Sequence, residues 1–262
     1  MEDRQRPIGV FDSGIGGLTV LDKLIKYLPN EQYIYIGDLK NSPYGEKTKN
    51  QIIEYTKNII DYFVSQKVKM VVVACNTASS FIDDIKSNYD IPIVTVMDAA
   101  IKEIKNQKNI LLAATKGAID AGIYLEKIKS ANYNANIYSV ACRDIVPAIE
   151  NQDLEDLKKQ QLVDQYIKRY KDKNIDLLIL GCTHYPILKK EFKKSIGEDT
   201  YVFDPAENVA KNAYEHLKEN NLLGNNFGEI KLMVTKDKKR FEKNVENLFS
   251  TIKVNEIVKQ KI

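Results

Sequence analysis

The sequence predicts an α/β fold in which two similar units each carry a parallel sheet. Strand-like and helix-like segments alternate along the 262 residues, as in chains built from βα units. Several strand-like segments are continuous apolar runs, which are typical of strands buried on both faces of a parallel sheet. The plan of the first unit is then repeated farther along the chain.

The first unit is predicted to contain four strands and the helices between them. Its first strand runs into the glycine loop Asp12-Ser-Gly-Ile-Gly-Gly17, a helix then ends near Pro29, and the second strand delivers Asp38. The predicted strands are Pro7–Phe11, Gln32–Gly37, Met70–Ala74 and Ile91–Met97, and the later helices are Thr48–Gln66 and Thr77–Tyr89.

The second unit repeats this plan, and the offset from Ile8 to Ile110 is close to that from Cys75 to Cys182. Such similar offsets are expected of an internal duplication. No Gly-, Ser- or Pro-rich linker separates the units, so we expect them to pack together. The remaining predicted elements are the strands Asn109–Ala114, Ile137–Ala141, Ile175–Gly181, Thr200–Phe203 and Glu229–Val234 and the helices Asp153–Tyr170, Pro205–Asn220 and Lys238–Leu248.

Composition excludes several classes of protein. The 39 basic and 36 acidic residues give a net charge of +3, and the lysines are spread along helices, so no nucleic-acid-binding stripe is predicted. No apolar run is long enough for a membrane span, and the first residues lack the apolar core of a signal peptide. The three cysteines are widely spaced, which argues against a disulfide framework or a zinc site. We therefore expect a cytoplasmic protein without a bound metal.

The glycine loop is open to more than one interpretation. Its place between a strand and a helix favours a dinucleotide-binding loop, with Asp38 near the distance of a ribose-binding acid. The third glycine of that fingerprint is missing, because Thr19 stands there. Taken alone, the loop fits a tight turn for helix packing as well as it fits a substrate-binding loop.

Cys75 and Cys182 occupy the same position in the two units, each at the end of a buried strand. A helix that starts there would lower the pKa of the thiol, whose free value is about 8.5. Thr77 and Thr183 would either cap these helices or donate hydrogen bonds to a ligand carboxylate. Cys142 has no partner motif and is interpreted as a buried structural cysteine.

Two thiols at equivalent positions indicate one site with chemistry from both sides. An inversion at carbon needs such a pair, because one group removes a proton from one face while the other delivers a proton to the opposite face. A cysteine hydrolase would instead need one cysteine with a histidine and its orienting partner.

Four motifs in order resemble those of the glutamate racemases in the cofactor-independent aspartate/glutamate racemase family. They are Val10-Phe-Asp-Ser-Gly-Ile-Gly-Gly-Leu18, Gly37-Asp38 with Pro43-Tyr-Gly45, Ala74-Cys-Asn-Thr-Ala78 and Leu180-Gly-Cys-Thr-His-Tyr-Pro186. The resemblance implies two pseudo-symmetric α/β domains with the active site between them. It also implies that the C-terminal segment completes the first domain, with residues 1–97 and 208–262 in one domain and 98–207 in the other.

By the same resemblance, Cys75 and Cys182 are the acid/base residues, assisted by Asp12, His184 and Glu150. No cofactor is implied, the ligands are L- and D-glutamate, D-glutamate is supplied to peptidoglycan synthesis, and a homodimer is allowed. The implied substrate contacts are Asp12, Ser13, Pro43, Tyr44, Gly45, Asn76, Thr77, Thr115, Thr183 and His184.

The chain departs from the family pattern at Ala118, where many relatives carry a threonine, so one substrate hydrogen bond is expected to be lost or moved. Two alternatives stay open at this point. The first is a racemase of aspartate or another amino acid, and the second is a nucleotide- or phosphate-binding module that uses the glycine loop.

Overall fold

The computed structural model describes residues 3–151, 155–225 and 228–262, and its strands form two parallel sheets. The predicted α/β class is confirmed. The strands are Ile8–Asp12 (β1), Tyr33–Gly37 (β2), Met70–Val73 (β3), Ile93–Thr95 (β4), Asn109–Ala114 (β5), Asn136–Ala141 (β6), Leu177–Gly181 (β7), Tyr201–Phe203 (β8), Ile230–Val234 (β9) and Glu256–Lys259 (β10).

Helices connect these strands. Thr48 caps α2 with a reciprocal capping box to Gln51, and Asp204 caps α10, whose first residue is Pro205. The α-helices are Leu18–Tyr27 (α1), Lys49–Ser65 (α2), Asn76–Ser79 (α3), Val96–Glu103 (α4), Lys116–Asp120 (α5), Ile123–Ala131 (α6), Ile145–Asn151 (α7), Asp156–Ile167 (α8), Lys189–Ile196 (α9), Pro205–Glu219 (α10) and Lys238–Leu248 (α11).

The two sheets share a strand order. The first sheet runs β10-β9-β2-β1-β3-β4 and the second runs β6-β5-β7-β8, so the second matches the four strands at one side of the first, β2-β1-β3-β4. The strand pairings in the described part of the chain are parallel, for example that of Tyr33 with Ile230 between β2 and β9. The outer strands β9 and β10 come from the C-terminal part of the chain, so the second sheet is inserted between strands of the first.

Each sheet is covered on both faces, as the continuous apolar runs predict. In the first sheet, Val10 and Val72 belong to one buried cluster, whereas Phe11 and Val73 belong to the cluster on the other face. Neighbouring side chains of a strand point to opposite faces, so burial on both faces requires apolar residues without alternation. In the second sheet, Leu111 and Leu112 are divided between two clusters in the same way.

Three predicted elements differ from the structure. The strand Ile91–Met97 is shorter, because Thr95 caps α4 and the chain turns helical at Val96. The prediction of one helix over Thr77–Tyr89 is wrong, because the single turn α3 is followed only by short 3₁₀ turns. The start predicted for the helix Asp153–Tyr170 lies outside the described residues, and the described part is α8 followed by a 3₁₀ helix, Lys168–Lys173. In the described part of the chain, no helix is long and apolar enough to cross a membrane.

A buried ion pair holds the C-terminal strands to the first sheet at the end away from the strands' carboxyl termini. Lys69, directly before β3, pairs with Glu31, two residues before β2, and both side chains are only 2% exposed. Lys69 also donates to the backbone oxygens of Arg4 at 2.7 Å and Leu222 at 2.8 Å. Glu31 accepts from the backbone N–H of Gly224 at 2.6 Å. The pair therefore joins four segments that are distant in sequence.

We expect Glu31→Gln to lower the free energy of unfolding by about 3–5 kcal/mol, because the substitution leaves the Lys69 ammonium buried without its counter-charge. The double variant, Glu31→Gln with Lys69→Met, should lose less stability than the two single variants lose in sum. Urea unfolding of the parent protein, both single variants and the double variant measures these free energies. Single variants as stable as the parent protein would contradict the prediction.

Candidate active site between the two sheets

The carboxyl ends of the inner strands of both sheets face one cleft with a volume of about 1020 Å³. This is at the upper end of the range of about 300–1,000 Å³ that is typical of small-ligand sites. Of the predicted site residues, only Asp12 is absent from the cleft lining. Those that line it are Ser13, Pro43, Tyr44, Gly45, Cys75, Asn76, Thr77, Thr115, Glu150, Cys182, Thr183 and His184.

Cys75 lies on the wall formed by the first sheet, after β3, and is 4% exposed. Its Sγ donates to Ser13 Oγ at 3.7 Å. Burial, followed by the charge of Asp12, raises the pKa of this thiol to about 12. The expected lowering by a helix N-terminus is therefore wrong for Cys75, because α3 is a single turn and its influence is smaller than the cost of burying a thiolate.

Cys182 lies on the wall formed by the second sheet, after β7, and faces an imidazole. His184 Nδ1 is 3.9 Å from Cys182 Sγ, and His184 Nε2 is 3.1 Å from Glu150 Oε1. Burial lowers the pKa of His184, but hydrogen bonds and charge interactions with Cys182 and Glu150 outweigh it and raise the pKa to about 10. His184 is thus an imidazolium at neutral pH, and it can donate from both ring nitrogens.

Asp12 joins the two walls. Thr183 Oγ1, from the second sheet's wall, donates to Asp12 Oδ1 at 3.2 Å, and the backbone N–H of Gly14 donates to Asp12 Oδ2 at 2.9 Å. Thr19 Oγ1 adds a second link by donating to the backbone oxygen of Thr183 at 3.0 Å. Burial raises the pKa of Asp12, although His184 and these hydrogen bonds oppose the rise.

Glycine is required where the walls approach each other. A Cβ on Gly16 would lie 2.4 Å from His184 Nδ1, and a Cβ on Gly117 would lie 2.3 Å from the backbone oxygen of Gly45. Real Cβ atoms essentially never come so close to another atom. The glycine loop therefore lets the two units touch next to Cys182, a role that was not predicted from the sequence.

The remaining polar groups are divided between structure and binding. Both carboxylate oxygens of Asp38 are used, because Tyr44 OH donates to Oδ2 at 2.7 Å and Thr235 Oγ1 donates to Oδ1 at 2.8 Å. Asp38 thus positions Tyr44 and is not available to a ribose. In contrast, Asn76 Oδ1 is buried and has no hydrogen-bond partner among the described residues.

The two threonines after the cysteines do not cap helices. The first residue before α3 is Cys75, without a side-chain cap, and Thr77 Oγ1 instead lies 3.4 Å from Thr115 Oγ1. Thr183 bonds to Asp12, as described above. Thr115 is itself the cap of α5 and accepts from the backbone N–H of Ala118 at 3.3 Å. Ala118 is fully buried and is not among the residues that line the cleft.

The cleft is also lined by basic side chains that were not predicted as site residues, and three of them are Arg143, Lys236 and Arg240. Arg143 follows β6, Lys236 follows β9, and Arg240 lies on α11. Charges in helices and turns ordinarily indicate a solvated surface, and no local motif marks these three. Within residues 3–151, 155–225 and 228–262, no group of three or more His, Cys, Asp or Glu side chains is arranged to hold a metal ion.

Comparison with known proteins identifies relatives over most of the chain. Residues 8–213 match the family described as Asp/Glu/hydantoin racemase. The chain is 39% identical to glutamate racemase 1 of Caldanaerobacter subterraneus subsp. tengcongensis, over 92% of this chain and 91% of that protein. It is 38% identical to glutamate racemase of Thermoanaerobacter pseudethanolicus, over 93% of both. The crystal structure of Francisella tularensis glutamate racemase in complex with D-glutamate superposes with a TM-score of 0.91 and 34% identity, over 99% of this chain and 98% of that one.

We expect iodoacetamide at pH 8 to alkylate Cys182 before Cys75 and Cys142. The pKa values of Cys75 and Cys142 are both raised to about 12, chiefly by burial, so only on the order of one in ten thousand of these sulfurs is a thiolate at that pH. Cys182 instead faces the His184 imidazolium, the setting in which thiolates are reactive. Peptide mass spectrometry over time gives the order, with urea-unfolded protein as the control. Labelling of Cys75 first would contradict the assignment.

Proposed function

Because the chain belongs to the Asp/Glu/hydantoin racemase family, we propose that it interconverts L- and D-glutamate. The observation that carries this proposal is the pair of cysteines at equivalent strand ends, after β3 and β7, on the two walls of one cleft. The choice of glutamate is supported by relatives named glutamate racemase and by the neighbouring structure in complex with D-glutamate.

In the proposed mechanism, each thiol serves one face of the α-carbon. Cys182, as thiolate, takes the α-proton of L-glutamate, and Cys75, as thiol, gives its proton to the opposite face to form D-glutamate. The reverse reaction uses the same groups with exchanged roles. The raised pKa of Cys75 keeps it protonated at neutral pH, which suits a proton donor, while the His184 imidazolium donates a hydrogen bond to Cys182.

Substrate binding uses the polar groups that line the cleft. The unpartnered Asn76 Oδ1 accepts a hydrogen bond from the substrate ammonium, which removes the cost of about 1–3 kcal/mol for a buried acceptor without a donor. The hydroxyls of Ser13, Thr77 and Thr115 donate to the two carboxylates, whereas Thr183 donates its one hydroxyl proton to Asp12 and borders the substrate as an acceptor. Pro43, Tyr44 and Gly45 also line the cleft.

The proposal includes the wider setting. The reaction needs no resident cofactor, takes place in the cytoplasm and supplies D-glutamate to peptidoglycan synthesis. Residues 1–97 with 208–262 form the domain that carries Cys75, and residues 98–207 form the domain that carries Cys182. Assembly into a homodimer and the auxiliary roles of Asp12, His184 and Glu150 are part of the same proposal.

We expect the purified protein to racemise L-glutamate after exhaustive dialysis with EDTA, with no cofactor added, and to lose activity after thiol alkylation. L-aspartate should react far more slowly, because its shorter side chain leaves buried hydrogen-bond donors of the distal carboxylate site unpaired. Circular dichroism of each amino acid follows the reaction. Comparable turnover of L-aspartate would contradict the choice of substrate, and activity restored only by pyridoxal phosphate or a metal would contradict the mechanism.

We expect Cys75→Ser and Cys182→Ser each to lower racemisation by about a thousandfold or more, because a serine hydroxyl is a far weaker acid and base at neutral pH. A glutamate analogue with a leaving group at the β-carbon separates the two roles, since elimination needs only the abstracting base. Cys75→Ser should still eliminate from the L-isomer and Cys182→Ser from the D-isomer. Equal elimination from both isomers by both variants would show that the thiols are not opposed bases.

A further inference from the structure

Helix α11 reaches from the first sheet to the wall that carries Cys182. Its apolar face is anchored to the first sheet, where Phe241 and Val245 lie in a buried cluster and Phe241 stacks on Tyr35 with 6.3 Å between ring centroids. Helix α7 belongs to the second sheet, since Ile145 and Ile149 are part of that sheet's core. Contacts between α11 and α7 therefore connect the two units across the cleft.

These contacts converge on the last turn of α7. Arg240 Nη2 lies 3.6 Å from Glu150 Oε2 and donates to Asn151 Oδ1 at 3.2 Å. Asn244, one turn farther along α11, donates from Nδ2 to the backbone oxygen of Glu150 at 3.5 Å. The two carboxylate oxygens of Glu150 thus have different partners, with Oε1 directed to His184 and Oε2 directed to Arg240.

We propose that Arg240 is a positioning residue for the Cys182 side of the active site. By holding Glu150 Oε2 from the opposite unit, it keeps Oε1 directed at His184 Nε2, and the imidazolium then presents Nδ1 to Cys182. Arg240 itself contacts neither thiol in this arrangement, so it acts only through Glu150. This inference rests on the function proposed above, because it assigns Arg240 a part in proton transfer by Cys182.

The charges around Glu150 predict what the loss of Arg240 does. The ionic groups that face its carboxylate are His184 and Arg240, and the buried Tyr35 phenol interacts with it more weakly. Burial raises the pKa of Glu150, but the hydrogen bond and charge of His184 and then the charge of Arg240 outweigh it, so the pKa is below its usual value. Without Arg240, Glu150 takes up a proton at a higher pH. A protonated Glu150 no longer provides the carboxylate that holds the imidazolium.

The test compares Arg240→Gln, Arg240→Lys and Lys239→Gln by the pH dependence of kcat/KM for glutamate. In Arg240→Gln, activity should begin to fall at a higher pH on acidification, and kcat/KM at neutral pH should fall about two- to fivefold, as for a half-exposed ion pair. Arg240→Lys keeps the charge and should restore the acid limb. Lys239 is an exposed neighbour on α11 that does not line the cleft, so Lys239→Gln is the matched control for charge.

A second readout does not depend on activity. The chain has two histidines, His184 and His216, so ¹⁵N-imidazole NMR spectra are simple and His216→Gln assigns them. On acidification, the His184 resonances should report the protonation of Glu150 at a higher pH in Arg240→Gln than in the parent protein or in Lys239→Gln. The kinetics also have a constraint. Because L- and D-glutamate are equally stable, kcat/KM must be equal in the two directions. A loss on the Cys182 side must therefore appear as different changes in kcat and KM for the two directions.

Three results would overturn the inference. The acid limb and the His184 resonances of Arg240→Gln could titrate as in the parent protein. Arg240→Lys could behave like Arg240→Gln, in which case the charge is irrelevant. Alternatively, Arg240→Gln could lose activity in proportion to a lowered Tm with no shift in either titration, which indicates a structural role. If the parent protein does not racemise glutamate, the proposed function fails, while the NMR titration still decides whether Arg240 acts on Glu150 and His184.

Discussion

The hydrogen bond from Thr183 to Asp12 is the contact on which the geometry of the cleft depends. It joins Asp12, the last residue of β1, to Thr183, which follows Cys182 directly after β7, and the two strands belong to different sheets. The bond is made only because Gly16 lacks a side chain, since a Cβ there would occupy the position of the His184 ring. The two parallel sheets are thereby held so that the carboxyl ends of their strands face one cleft, and this is the end at which α/β sheets bind ligands. The residues at the strand ends of each sheet thus form one wall of a shared cleft.

The two cysteines follow equivalent strands of the two sheets, but the side chains around them differ. Both follow the strand next to the first strand of their unit, β3 beside β1 and β7 beside β5. Cys75 has a hydroxyl and a nearby carboxylate, and its thiol is difficult to ionise. Cys182 has an imidazolium supported by Glu150. The repeated strand order thus places the two thiols symmetrically, as the proposed inversion at carbon requires, whereas the side chains around them differ: one thiol is hard to ionise and the other lies beside a cation.

Features that depend on nearest neighbours in sequence were predictable, and those that depend on distant segments were not. Buried strands such as β3 and β7 are marked by their own apolar runs, and the cysteines follow directly. The pKa of Cys75 was predicted with the wrong sign, because burial comes from elements that the local pattern does not show. The strand β10, with partly exposed residues at the sheet edge, has no comparable apolar run. From the sequence alone, Arg240 would be interpreted as a solvent-exposed charge on a helix. Only the fold shows that it lies beside Glu150, ninety positions earlier in the chain.

Because the second sheet is inserted into the first, all of its strands are synthesised before the last strands of the first sheet. A ribosome releases β5 to β8 as one uninterrupted segment, so the four-stranded sheet can fold while β9 and β10 are still unmade. During that interval β2 is an unpaired edge, the kind of surface at which nascent chains pair wrongly or recruit chaperones. The wall that carries Cys182 can thus be complete before the first sheet is, although its codons come later than those for Cys75. The cleft has all of its lining residues only after α11 has left the exit tunnel.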